Sequence, residues 1–292
     1  MKKLIAIVFG ALLATSVSAE EFSKSLDAAP DGRVDISNIA GSVAVNGWSR
    51  NQVEVSGTLG RNVKELVFER DGNRVTIKVK VPRNGGHGIS SELVVNVPEG
   101  SSIDVSTVSA EITVKNVLGE QSLQSVSGDV TTEAMESNVT AASVSGDVEV
   151  TGTQKDTYTK VGTVSGDVTL FRVSGEVAAE AVSGDVTIDE GSFSRATLNT
   201  VNGEILFHAA LRKGGRLQGE TVNGEIDVEL AGNVSATFDV ETFNGSIKNC
   251  FGPKAERTSK YAPGWELRFS EGEGEARVEL ATMNGGIRIC QD

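Results

Sequence analysis

The chain is short of the residues that most often carry chemistry. Among 292 residues there are two His, two Cys, five Pro and 5% aromatics. His87, in a Gly-rich loop, and His208, at a strand end, are too few and too separated in sequence to form a ligand set. The many Ser residues have no His at a matching spacing, so a nucleophilic triad has no basis. Scarce aromatics also leave few stacking platforms for sugars. Positive charge is in deficit: 27 Lys and Arg against 40 Asp and Glu give a net charge of -13. That balance disfavours nucleic acid and anionic membrane surfaces as partners and suits cationic ligands better. Helical periodicity is hard to find after Ala19, and no later apolar run is long enough to cross a bilayer.

The one long apolar run, Leu4 to Ala14, follows Lys2 and Lys3 and precedes the small residues Val17-Ser18-Ala19. This is the pattern of a secretory signal peptide cleaved after Ala19. Loss of its two lysines takes the charge from -13 to -15. The mature chain is expected in the periplasm or secreted, with no lipid anchor, because no Cys follows the apolar run. In that oxidising setting the two cysteines, Cys250 and Cys290, are expected to pair.

What the chain has in excess is glycine, 33 residues, and a motif. Val126-Ser127-Gly128-Asp129-Val130-Thr131 recurs at 144 to 149, 164 to 169 and 182 to 187, then drifts to Val201-Asn202-Gly203-Glu204-Ile205 and Val222-Asn223-Gly224-Glu225-Ile226. Weaker copies surround Ala110, Gly245 and Gly285. The central small residues step by 18, 18, 20, 18, 19, 21, 21 and 40 along the chain. Such a period predicts an all-β solenoid with rungs of about 18–21 residues, each burying its apolar face on the next. Cys250 and Cys290 each lie five residues after a central Gly. Equivalent positions on neighbouring rungs stack roughly 4.8 Å apart, within disulfide reach. The register therefore predicts the bridge.

Apolar residues two before and two after the central Gly suggest one strand face. Val126, Val144, Val164, Val182, Val201, Val222 and Phe243 are accordingly expected in the core. The Gly is expected at a tight corner, through positive φ or close approach. The preceding Ser or Asn is expected to bond along the stack. Residues 20–100 differ from the repeats. They read as a polar lead-in and a β cap with antiparallel content, including a hairpin at Asp71-Gly72. Residues 101–292 read as the solenoid, with an insertion between Gly245 and Gly285 and a last rung pinned by the disulfide.

The leader, Ile39-Ala40-Gly41-Ser42-Val43-Ala44-Val45-Asn46-Gly47-Trp48, Val97-Pro98-Glu99-Gly100 and the serial Val-Ser-Gly-Asp-Val units together resemble a bacterial family. It is the "putative adhesin", β-strand-repeat family of unassigned domains, and the resemblance covers nearly the whole mature chain. It implies a right-handed parallel β-helix exported to the cell envelope, with no catalytic residues to carry across.

The acidic residue after the corner is the most conspicuous chemical feature. Asp129, Asp147, Asp167 and Asp185 would form a ladder, and a row of calcium sites is one reading of it. Like charges roughly 5 Å apart in water repel by only about 0.8 kcal/mol, less than the 1.5–3 kcal/mol or so from burying one Val. Solvated corners without metal are therefore the preferred reading, and no cofactor is expected. A polysaccharide-acting enzyme would need an acid and a base converging in a groove, and no rung stands out. The expectation is a non-enzymatic binding or scaffold surface for an envelope protein or glycan. Trp48, Trp265, Lys254 and Arg257, in the cap and the insertion, are the candidate partner residues, because loops that interrupt a solenoid commonly carry binding.

Overall fold

A computed structural model describes residues 20–83, 86–259 and 263–292. The signal peptide expected at 1–19 lies outside the described residues. Among the described residues the fold is all-β: 23 strands join one long mixed sheet, wound into a solenoid-like stack.

From residue 102 onward neighbouring rungs pair in parallel and in register. Val139–Ser145 pairs with Asp156–Ser165, which pairs in turn with Ser174–Ser183. The second strand of each rung repeats the pattern, Val148 facing Val130 on one side and Val168 on the other. The two walls meet at the Ser-Gly-Asp or Asn-Gly-Glu corner. Their inward side chains form the core, with Val130, Val148, Val168, Val186 and Ile205 all 0% exposed.

The motif glycines are set by close approach between rungs. A Cβ on Gly184 would lie 1.8 Å from the carbonyl oxygen of Gly166, and one on Gly224 1.8 Å from that of Gly203. No side chain fits there.

The N-terminal strand Arg33–Trp48 is a full rung, parallel to Ser102–Lys115, with Gly41 beside Ala110. Its other edge takes Arg74–Lys80 and Ser91–Pro98, also parallel. Beyond these the pairing turns antiparallel: Gln52–Leu59 on Ser91–Pro98, Glu20–Asp27 on Gln52–Leu59, and Glu65–Asp71 on Arg74–Lys80. The hairpin expected at Asp71-Gly72 is present, with Gly72 at φ 60°.

The C-terminal end breaks chain order. Ala276–Asn284 lies between Ile205–Asn223 and Ala236–Asn244, parallel to both. The rung expected to come last is thus inserted beneath the preceding one, and Ala236–Asn249 closes the parallel stack. Trp265–Glu271 then pairs antiparallel on the outer edge of Ala236–Asn244. The inserted rung is tied to the closing one by Cys250–Cys290, at a Cα separation of 4.9 Å. This matches the spacing expected from the register.

Candidate functional site

Three ladders run along the corner. The first is buried and lies three residues before each Gly. Ser143 donates its hydroxyl to the carbonyl of Gly128, Thr163 to Gly146, Thr200 to Gly184 and Thr221 to Gly203, at 2.9 to 3.2 Å. Each closes the hydrogen bonding of a corner carbonyl one rung away. The second is the acidic ladder. The backbone N–H of Asp147 donates to Asp129 Oδ1 at 3.0 Å, and Asp167 to Asp147, Asp185 to Asp167 and Glu204 to Asp185 do likewise. The candidate calcium residues Asp129, Asp147, Asp167 and Asp185 therefore act as acceptors for the next corner. Among the described residues, no group of three or more His, Cys, Asp or Glu side chains is disposed to hold a metal. Further along, Asn side chains replace Ser: Asn223 donates to Asn202, Asn284 to Asn223 and Asn244 to Asn284, at 2.8–2.9 Å.

The third ladder corrects the sequence reading. Val126, Val144, Val164, Val182, Val201, Val222 and Phe243 are not core. They point outward, with exposures from 39% at Val201 to 51% at Phe243, and Val108 (43%) and Met283 (55%) extend the column. The reason is a change of parity at the corner. Before it, the inward positions are three and five residues ahead of the Gly, as in Ser143 and Ala141. After it, they are two and four residues behind, as in Val148 and Val150. The corner consumes one residue of alternation, so residues at minus two and plus two face opposite ways. The signal was available: Leu123, Ala141, Val161, Ala179 and Leu198, all five before a corner, are a second apolar column, buried to 2% exposure or less.

Isolated exposed apolar side chains are ordinary. Here nine occupy equivalent positions on successive rungs, as the flanking register Ser145–Ser165–Ser183–Asn202–Asn223–Asn284–Asn244 requires. The result is a narrow apolar stripe along one edge of the stack.

At its C-terminal end the stripe enters a cleft of about 600 Å³. Val222, Met283 and Phe243 form the apolar part of its lining, Glu220 and Glu241 an acidic part, and Thr258 and Gly264 of the insertion close one side. The neighbouring strand residue Trp265 packs beneath Arg257, whose guanidinium carbon is 4.5 Å from the ring centroid. Lys254 is exposed on the same insertion. Trp48 belongs to the N-terminal rung, where its Nε1 donates to the Gln52 carbonyl at 2.8 Å and Arg50 covers the ring at 4.8 Å. The four candidate partner residues thus fall into two groups on different rungs. Of the histidines, His208 Nδ1 lies 3.0 Å from Asp189 Oδ1, and the His87 carbonyl accepts from Asn62.

A chain of this kind is a repeat protein, with side chains of one type laid in columns along its stack. No helix among its described residues is long and apolar enough to cross a membrane. Models of the Toastrack DUF4097 family match residues 32–190 and 181–290, and the chain belongs to that family. The resemblance drawn from the repeats, to an adhesin-like family of unassigned domains, is borne out. No curated protein matches the chain. Among solved structures, a "putative lipid binding protein" from Parabacteroides distasonis ATCC 8503 is 13% identical with a TM-score of 0.45, over 92% of this chain and 96% of that one. A "putative adhesin" from Bacteroides fragilis NCTC 9343 is 11% identical with a TM-score of 0.41, over 93% and 98%. Another from Parabacteroides merdae ATCC 43184 is 9% identical with a TM-score of 0.35, over 92% and 96%.

Proposed function

We propose that the chain is an exported, non-enzymatic binding or scaffold protein of the cell envelope, periplasmic or secreted, which meets an envelope protein or glycan through its apolar stripe. In this reading residues 20–100 form a lead-in and an antiparallel cap, and 101–292 a right-handed β-helix. The single observation that carries it is the column of nine outward apolar side chains, 39–55% exposed, in register on successive rungs. Burying a Val or Phe side chain contributes about 1.5–3 kcal/mol, so a partner lying along the stripe gains from every rung it covers. The carboxylates of Asp129, Asp147, Asp167 and Asp185 accept from backbone N–H groups one rung away, an arrangement that holds a stack together rather than one that turns over a substrate.

The test is position-specific photo-crosslinking in cells that export the chain. A photoreactive residue at Val164 or Val182 is expected to trap an envelope component. One at Thr169, exposed on the other wall, is expected to trap none. Equal capture at Thr169, or no capture from the stripe, removes this reading.

A further inference from the structure

Going beyond that reading and confined to the C-terminal cleft, we infer that the cleft is a binding site for a small amphiphilic cation, an apolar body carrying an ammonium group. Two adjoining hollows make the site. The larger, about 600 Å³, presents Val222, Met283 and Phe243. The smaller, about 240 Å³, is lined by Glu220, Asp239, Glu241 and Glu279, and the two share Glu220, Glu241 and Ala281. The volume of the larger falls in the range of ordinary small-molecule sites.

The junction is created by the inserted strand. Ala281 pairs with Glu220 on one side and with Glu241 on the other. In chain order those glutamates would face each other across one strand spacing, roughly 4.8 Å. Insertion moves them apart and puts a methyl group between them, leaving a notch with a carboxylate on either hand. In the same way Met283 sits between Val222 and Phe243, which makes the apolar half continuous with the stripe.

Charge selects the head group. Of the four carboxylates, Asp239 and Glu241 are held by Arg268 at 3.0 and 2.7 Å, and Glu279 by Arg277 at 2.5 Å. Glu220 has no cationic partner among the described residues and accepts only from the Gln218 amide, at 2.9 Å. Arg268 is shared with Glu266 as well, at 3.2 Å, so among the described residues the guanidinium groups are outnumbered by the carboxylates at the notch. An ammonium seated over Ala281 meets these carboxylates, with its apolar body on Val222, Met283 and Phe243. A small amphiphile is favoured over an extended peptide because the floor of the cleft is a sheet face. The strands beneath it are paired on both edges and offer a peptide backbone no free hydrogen-bonding groups.

The experiment titrates the mature chain by calorimetry with decyltrimethylammonium and, separately, decyl sulfate, each below its micelle concentration. One equivalent of the ammonium is expected to bind at least about tenfold more tightly than the sulfate, and more weakly as salt screens the head group. Ala281→Leu, which fills the notch, is expected to abolish binding. Glu220→Gln, on an exposed side chain that folding does not need, is expected to weaken the ammonium about five- to tenfold and leave the sulfate unchanged. Equal binding of the two amphiphiles, or unchanged ammonium binding by Glu220→Gln, overturns the inference. Tighter binding of a lysine- and phenylalanine-containing peptide than of the ammonium overturns it in favour of a peptide site. Crosslinking from Val164 and Val182, several rungs away, is read independently. If it persists while the ammonium fails, only the cleft assignment falls. If it is lost while the ammonium binds, the envelope-partner reading falls and the cleft stands.

Discussion

Val126 and Val130 are four residues apart, identical in chemistry, and on opposite sides of the solenoid wall: Val126 is 47% exposed and Val130 0%. The same substitution at the two positions is therefore expected to have different consequences. Val126→Thr should change stability by no more than about 0.5 kcal/mol, as surface substitutions usually do. Val130→Thr places a hydroxyl among buried apolar groups and should cost about 1–3 kcal/mol. Urea denaturation of the two variants measures the difference, and equal losses would refute the assignment of inside and outside.

Gly184 and Gly162 separate two reasons for glycine. A Cβ at 184 would meet the Gly166 oxygen at 1.8 Å, whereas at 162 the nearest atom is the Glu180 oxygen at 3.4 Å. Gly184→Ala forces two rungs apart and is expected to destabilise by about 3 kcal/mol or more, at the upper end of overpacking costs. Gly162→Ala should be neutral or stabilising by up to about 1 kcal/mol, since it lowers the entropy of the unfolded chain without strain. Thermal melts of the pair decide the matter, and a tolerated Gly184→Ala would mean the corners are not in contact.

The repeat period, the corner and the disulfide register were legible in the sequence because each is a local property copied many times. Cys250 and Cys290 are placed by counting from Gly245 and Gly285, and the structure puts their Cα atoms 4.9 Å apart. The face of the valine ladder was not legible from spacing by two alone. The parity change occurs within three corner residues whose composition does not announce it. Only the competing column at minus five reveals it, and that column is interrupted where Gly219 stands, its space approached by Leu280 Cδ2 at 3.0 Å from the would-be Cβ. The cleft was illegible for a topological reason: Glu220, Ala281 and Glu241 meet only because the C-terminal strand is inserted out of chain order. Partner residues were expected where the motif is interrupted; the proposed cleft is lined mainly by rung strands, with Thr258 and Gly264 of the insertion at its side.

The bridge between Cys250 and Cys290 holds the closing rung onto the inserted one. It spans 40 residues, for which the chain-entropy account gives about 4 kcal/mol. Cys290→Ser is expected to lower stability by up to that amount. The loss should be local first, with backbone amides of Ala236–Asn244 exchanging much faster while those of Val168–Phe171, deep in the stack, keep their protection. Hydrogen exchange read by mass spectrometry distinguishes this from uniform destabilisation, which would show that the end rung has no separate stability.

Glu204 is where the acidic ladder changes from aspartate to glutamate, and its environment makes stability depend on pH. Its N–H donates to Asp185 Oδ1 at 2.7 Å. Partial burial, then the charges of Asp185, Glu225 and Asp227, hold its carboxyl above the usual glutamate range. A raised acid pKa means the folded chain binds the proton more tightly than the unfolded chain does. The favourable contribution is fully present below the unfolded value, about 4.3, and is lost as pH rises through the folded one. Glu204→Gln removes the charge at every pH, so it is expected to raise the melting temperature at neutral pH and to lose that advantage progressively in acid. Added salt should shrink the part due to neighbouring carboxylates and leave the part due to burial. Melting temperatures of the two proteins across pH 3 to 8, at low and high salt, provide the test; an advantage that stays constant or grows in acid would show that this corner does not raise the affinity of the carboxyl for its proton.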